Sequence, residues 1–492
     1  MSDVTDVMPG LNHWFARDLP ELAVEWQPAT VPAPSLLVLN EGLAIELGLS
    51  RPALRSPEGL AVLAGNAVPV GAVPVAMGYA GHQFGNYSPR LGDGRALLLG
   101  ELTAADGRRL DVHLKGSGRT PFARGGDGKA ALGPMLREYL ISEAMHALGV
   151  PTTRSLAVAA TGEQIMRDTG PVPGAVLTRV AASHLRVGMF EYAARLPADG
   201  LVRRLADHAI QRHHPAAAAA EQPYVALLGS VIEVQAELLA KWMLLGFIHG
   251  VMNTDNMTIS GEGIDYGPCA FMDRYDPLTV FSSIDHGGRY AFGKQPGIAQ
   301  WNLARLAEAL LPLMADDSDA AVALAMAELQ RFPERFHAHW EKGIRAKLGL
   351  ATTAVGDHEL FDEMLAVLAD ARADYTGSFR ELAGVLRGEI GPLGFAAGGG
   401  ATWLARWHER LAVEGRDPEF VADEMDAVNP RYIPRNQHVE RVLAAATAGD
   451  LEPFEELLDV VTHPFDDGSD WDEFAGPAPD AFAATHRTFC GT

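Results

Sequence analysis

Cysteine is nearly absent: Cys269 and Cys490 are the only two in 492 residues. Neither a disulfide framework nor a cysteine-rich zinc site is available, and a reducing cytoplasm is the expected compartment. Cations are in deficit as well. Lys and Arg number 40 against 63 Asp and Glu, giving a formal net charge of −23 and a sequence pI near 5.1. Such a balance argues against broad electrostatic binding to nucleic acid or anionic membrane, although a local basic pocket can exist within an acidic protein. No bilayer-spanning run is expected: Leu60 to Gly81 lacks acids and bases but contains Asn66, Pro69, Pro74 and several glycines, and reads as a buried loop or strand region. The opening MSDVTDVMPG has no basic start followed by an apolar run, so no targeting segment is expected. What is present is a 48% hydrophobic chain, long enough for two or three domains or one large bilobal one.

Candidate chemistry concentrates in His249 to Asp265, HGVMNTDNMTISGEGID. A helical pattern over Ala226 to Phe247 leads into it, with Glu233, Glu237 and Lys241 four apart on one face and apolar residues on the others. Then come Asn253-Thr254-Asp255-Asn256, an apolar run Met257 to Ile259, a Gly261-Glu262-Gly263 turn, and Asp265-Tyr266-Gly267. Two carboxylates and a carboxamide thus flank a predicted tight hairpin. Oxygen donors of this kind suit a hard cation such as Mg²⁺ held together with nucleotide phosphates; a purely structural Asn/Asp turn is the plainer alternative. The order of helix, Asp/Asn loop, hairpin and Asp-aromatic-Gly resembles the catalytic loop and metal-binding Asp of the protein kinase-like fold. One departure stands out. Sugar and antibiotic kinases read His-Gly-Asp with Asn five residues on, whereas here Val251 follows His249-Gly250 and only Asn256 keeps the spacing. The customary base is missing.

The N-terminal half offers matching parts. Residues 1–76 read as an extension with a short helix over Ser35 to Leu49. Ala96 to Leu102 and Leu110 to Leu114 have strand character, with Asp106-Gly107 as the turn between them. Ahead of them, Gly92-Asp93-Gly94-Arg95 could present backbone N–H groups and a cation to a phosphate, or form an ordinary surface turn. Lys115 ends the second strand, either as a phosphate-pairing lysine or as a solvated strand end. Pro134 then opens a helix running to Gly149. Its Glu138 and Glu143 point about 140° apart, so only one can face Lys115. Gly125 to Lys129 fails as a Walker A loop, because Ala123 stands at the first Gly position and Ala130 follows the lysine. Toward the C-terminus, Ala/Leu-rich helical patterns cover Leu303 to Leu348 and Leu360 to Leu386, and the tail from Asp450 to Asp480 is acidic. His337 and His339, two apart on a helix, point away from each other and make a poor metal pair.

Seven strings in order, YAGHQFG (79–85), LGDGRA (91–96), HLKGSGRTPFAR (113–124), DGKAALGPMLREYL (127–140), HGVMNTDNM (249–257), IDYGP (264–268) and NPRYIPRNQ (429–437), resemble the selenoprotein O family, and the chain is identified as a cysteine-containing bacterial member. The resemblance implies an α+β, protein kinase-like bilobal fold with a β-rich N-lobe at 77–190, a helical C-lobe at 191–350 and a helical extension at 351–492. It implies transfer of AMP from ATP to Ser, Thr or Tyr hydroxyls of protein substrates, with Mg²⁺ or Mn²⁺ as cofactor. It further implies that Lys115 and Glu138 pair, and that Gly92, Gly94, Arg95, Asp127 and Gly128 contact ATP. Arg179 and Arg186 would bind phosphates, Asn256 and Asp265 would hold the metal, and Asp255 would be the general base. Cys490 falls where the family carries selenocysteine or cysteine; a bond to Cys269 is conceivable, with a buried, unpaired Cys269 preferred. No nucleic acid or membrane partner is expected. From residues alone, a kinase or a silent ATP-binding pseudokinase remains open beside AMP transfer, because nothing in the spacing shows which phosphate is attacked.

Overall fold

The computed structural model describes residues 7–168, 170–389, 394–395 and 399–489. Strand-forming sequence lies almost entirely before residue 182. The strands before residue 182 are β1 (Ala23–Glu25), β2 (Ser35–Leu39), β3 (Val75–Met77), β4 (Gly81–Gln83), β5 (Asn86–Ser88), β6 (Ala96–Thr103), β7 (Arg109–Lys115), β8 (Ala130–Ala131), β9 (Arg154–Arg167) and β10 (Gly170–Ala181). They form an 8-stranded sheet in the order β1-β3-β6-β7-β10-β9-β2 with β8 beside β10, while β4 and β5 pair apart from it. Every pairing in the sheet is antiparallel. The architecture is α+β.

Alternation along β7, RLDVHLK, sends Leu110, Val112 and Leu114 to one face and Asp111, His113 and Lys115 to the other. On the apolar side these leucines and Val112 pack with Leu156, Val176 and Val180 against Leu43, Leu47, Leu54 and Leu63 from short N-terminal helices. The other side receives the helix Leu132–Ala147. Its Leu136, Tyr139 and Leu140 meet Val158 and Leu177 of the sheet, together with Val439, Val442 and Phe454 from near the other end of the chain. This helix is therefore covered on several sides, and most of its residues are buried.

Two local expectations are corrected. Ser35 to Leu49 is not one helix but β2 followed by the helix Glu41–Glu46. The apolar SLLVL completes a sheet edge on β9, and Asn40 starts the helix by accepting the Leu43 N–H at 2.9 Å, the usual N-cap bond. Leu60 to Gly81 begins in the helix Pro57–Leu63 before reaching β3. From Val187 onward helices dominate, including Val187–Ala193, Leu201–His213, Pro223–Leu245, Gln295–Met314, Phe332–Lys347, Asn436–Thr447 and Glu452–Thr462. Pro223–Leu245 is long and apolar enough to cross a membrane by length and composition. Here Leu228, Val231, Ile232, Leu239 and Trp242 bury it as a core helix. Gly246 ends it in the left-handed conformation, φ 71°, and turns the chain into the candidate loop.

Candidate active site

The segment 247–256 is fixed from several directions. Asn253 Oδ1 accepts from the Tyr290 hydroxyl at 2.6 Å and from the Phe84 N–H at 3.1 Å. The Asn302 amide donates to the Met252 carbonyl at 3.0 Å. His249 is buried with Nε2 2.8 Å from the Ile264 carbonyl, and burial lowers its pKa. The Thr254 hydroxyl accepts from the His82 N–H at 2.7 Å and donates to Glu191, which also bonds the His82 ring. The predicted hairpin after Asn256 is not a self-paired one. Met257 and Ile259 bond to Val187 and Leu185, while Gly263 bonds to Pro151 and Thr153, all at 2.9–3.0 Å. Each arm is held by a different part of the sheet-bearing half, because both run beside segments whose backbone groups are free to pair.

Asp255 sits under β4. Gln83 Nε2 lies 3.4 Å from its Oδ2, whereas Oδ1 is buried with no hydrogen-bond partner. Burial pushes this carboxyl up to about 6, against the opposing charge of Arg186. An ionisable oxygen with an unused lone pair, enclosed and raised in basicity, is what a proton acceptor requires.

Asp265 collects the cations. Lys115 Nζ donates to its Oδ1 at 2.6 Å, Arg179 Nη1 to the same oxygen at 2.6 Å, and Arg186 Nη1 to Oδ2 at 2.8 Å. Burial alone would raise this carboxyl, but Lys115, Arg179 and Arg186 together hold it well below the usual range. Asp265 is also one of few non-glycine residues in the left-handed region, φ 59°, a conformation that a short side chain with local hydrogen bonds tolerates. Lys115 Nζ also bonds Glu138 Oε2 at 2.5 Å, and Glu138 Oε1 accepts from Arg179 at 3.1 Å. Glu143 faces away and binds Arg154 and Asn40 instead. Arg186 joins the two acids, since its Nη1 also donates to the Asp255 carbonyl at 2.9 Å while its guanidinium lies 4.7 Å from the Tyr79 ring centroid.

The remaining candidates stand differently. Gly92, at φ 70°, leaves room for Phe122, whose ring a Cβ there would meet at 2.3 Å; Gly94 lies against the Phe122 and Ala123 backbone. The Arg95 carbonyl accepts the Gly116 N–H at 2.7 Å. Asp127 points to Arg167, 2.8 Å away. Gly128, at φ 72°, packs on the Gly118–Arg119 backbone just beyond the end of β7. Asp127 thus pairs with Arg167 and not with the Lys115–Asp265 cluster. Asn256 donates its amide to the Val251 carbonyl at 2.9 Å, so its carboxamide oxygen is the atom that would coordinate a cation. With Asp265 held ionised, the two supply hard oxygen donors, and they fit a cation of the Mg²⁺ class. Among the described residues no three His, Cys, Asp or Glu gather to hold a metal. Cys269 is buried and unpaired among the described residues, its thiol pushed up to about 11 by burial; Cys490 lies outside the described residues.

Sequence reading passed over Gly81, Gln83, Glu191, His113, His184, Asp93 and Asp111. The alternation in LDVHLK was a usable signal, because it puts Asp111 and His113 on the same face as Lys115.

Three cations converge on one ionised carboxylate beside a second, more basic one, an arrangement able to stabilise a multiply charged anion. The family model described as "Protein adenylyltransferase SelO" matches residues 14–462. A protein named "Protein nucleotidyltransferase YdiU" from Mycolicibacterium smegmatis is 58% identical, with 100% of both chains covered. Those of the same name from Rhodococcus jostii and Cereibacter sphaeroides are each 56% identical, covering 98% and 97% of this chain and 95% and 98% of their own. The chain belongs to the SelO family.

Proposed function

We propose that this chain is a protein adenylyltransferase that moves AMP from ATP to Ser, Thr or Tyr hydroxyls of other proteins. We read the sheet and the Glu138 helix as the smaller lobe of a kinase-like arrangement, the helices after residue 190 as the larger lobe, and the cytoplasm as its compartment. The observation that carries the reading is the meeting of Lys115, Arg179 and Arg186 on Asp265, with Arg186 also bonded to the backbone of Asp255. The family match supplies AMP as the group transferred.

In this reading the hydroxyl oxygen bonds to the α-phosphorus while Asp255 accepts its proton, the base role suiting its raised pKa. The bond from that phosphorus to the pyrophosphate oxygen breaks, and Lys115, Arg179 and Arg186 hold the charge that develops on the leaving group. Glu138 keeps Lys115 in place. Gly92, Gly94, Arg95, Asp127 and Gly128 flank the nucleotide. A divalent cation, Mg²⁺ or Mn²⁺, bound by Asn256 and Asp265 would neutralise further phosphate charge. Val251 stands where a kinase carries its base, so proton acceptance falls to Asp255.

The test uses ATP labelled at the α- or the γ-phosphate with the full chain and acceptor protein. Retention of α-label on protein is expected. Retention of γ-label instead would make the chain a kinase, and retention of neither, with ATP still bound, would make it a pseudokinase.

A further inference from the structure

Arg179 is the most enclosed of the three cations, with 1% of its surface exposed. Its Nη1 reaches Glu138 and Asp265, and its other edges meet two histidines. Nε donates to His184 Nε2 at 3.1 Å and Nη2 approaches His113 Nδ1 at 3.3 Å. The two imidazoles stack, with centroids 4.2 Å apart and planes inclined by 23°. Behind each ring stands a buried carboxylate: His113 Nε2 is 3.1 Å from Asp93 Oδ2, and His184 Nδ1 is 2.9 Å from Asp111 Oδ2. Both carboxylates are anchored in turn, Asp93 by the Met77 N–H at 3.1 Å, Asp111 by the His184 N–H at 2.9 Å and by Arg212 at 2.5 Å.

Donor and acceptor logic fixes the protons. A guanidinium only donates, so the ring nitrogen facing it must accept. A carboxylate only accepts, so the opposite ring nitrogen must carry the hydrogen. Both rings are therefore neutral and each is confined to one tautomer, in the manner of a histidine oriented by a carboxylate. Burial acts in the same direction, lowering the basicity of His113 and bringing His184 down to about 3. A carboxylate in place of either ring would hold the guanidinium equally well but would cancel its charge. An aliphatic residue would leave a buried N–H unsatisfied.

We propose that His113 and His184 are positioning residues for Arg179: stacked neutral acceptors that fix its guanidinium plane toward the phosphates of ATP without neutralising it. This rests on the functional reading above, in which Arg179 grips phosphate.

The test measures the dissociation constant for Mg·ATP by calorimetry on the full chain. His184→Leu and His113→Leu each remove one acceptor and should weaken ATP binding about tenfold or more. His184→Gln returns an oxygen to the Nε2 position and His113→Asn returns one to the Nδ1 position; both should stay within about threefold of the parent. His184→Glu, which supplies the same oxygen with a charge, should bind ATP as poorly as the leucine variant. Amide variants as weak as the leucine ones would show that only ring packing matters and would overturn the inference, as would leucine variants that bind normally. Should the leucine or glutamate variants not fold, the amide variants decide: within threefold upholds it, beyond tenfold overturns it. A parent protein that binds no ATP would instead sink the functional reading.

Discussion

Gly81→Ala is the smallest change that reaches Asp255. Gly81 is in β4 with an ordinary φ, outside the left-handed set, so alanine brings no backbone strain and the effect is one methyl group. That methyl would lie 2.6 Å from Asp255 Oδ1, 3.0 Å from Leu91 Cδ1 and 3.1 Å from Asp255 Cβ. A carbon–oxygen contact needs about 3.3 Å, so the carboxylate must retreat by about 0.7 Å. Leu91 prevents the methyl from yielding instead. A displacement of this size at a reacting group lowers turnover by about 10²-fold, while the overpacking costs the fold about 1–3 kcal/mol. Lys115, Arg179 and Arg186 are untouched, so ATP affinity should change little. The assay is incorporation of α-label at saturating ATP, alongside calorimetric ATP binding and a thermal melt. Gly297→Ala, in the helix Gln295–Met314 with no heavy atom within 4 Å of the new Cβ, serves as the neutral comparison. A folded Gly81→Ala protein with full turnover would refute the placement of Asp255 as the base, and an equal loss of ATP affinity would show that the disturbance is not confined to it.

Burial lifts the Glu262 carboxyl to about 7, against hydrogen bonds from Ser260 and the Ala182 N–H. A carboxyl raised above its unfolded value of about 4.3 favours the fold at low pH and loses that contribution as pH rises toward 7. Glu262→Gln should therefore raise the melting temperature at pH 8 and leave it nearly unchanged at pH 5; equal shifts at both would contradict the assignment. Cys269, buried with a thiol pushed up to about 11, should resist a thiol reagent in native Cys490→Ser protein and react only on unfolding, which mass spectrometry of labelled peptides would read.

Parts of the site were legible because they depend on local rules. Strand alternation and an Asp-Gly turn mark β6 and β7, and Pro134 marks the first turn of the helix Leu132–Ala147. Helical geometry allowed only one of Glu138 and Glu143 to face Lys115, but choosing between them required the sheet: the register Leu177↔Lys115 and Arg179↔His113 puts Arg179 on the Lys115 face, where Glu138 can serve both. Ser35 to Leu49 misled for the converse reason, since its helical pattern was overridden by a β9 edge more than a hundred residues away. The glycines of YAGHQFG and LGDGR illustrate a further limit. A glycine is compatible with a phosphate, a ring or a neighbouring carboxylate, and only packing distinguishes them. Gly92 accommodates Phe122 and Gly81 accommodates Asp255.

That distinction bears on how the site tolerates its own charge. Lys115, Arg179 and Arg186 are buried together, an arrangement that like-charge repulsion and desolvation would forbid without compensation. Glu138 and Asp265 provide it, and both are oxygen anions, as phosphates are. Under the proposed function, a triphosphate would compete with Asp265 for these three cations, and a carboxylate so released would be available to a cation. The same three side chains keep Asp265 ionised, and under the proposed function they would also hold the leaving group. Under such an exchange the histidine pair behind Arg179 would matter because, among its partners in the described residues, His113 and His184 carry no charge and need not move when the anions trade places.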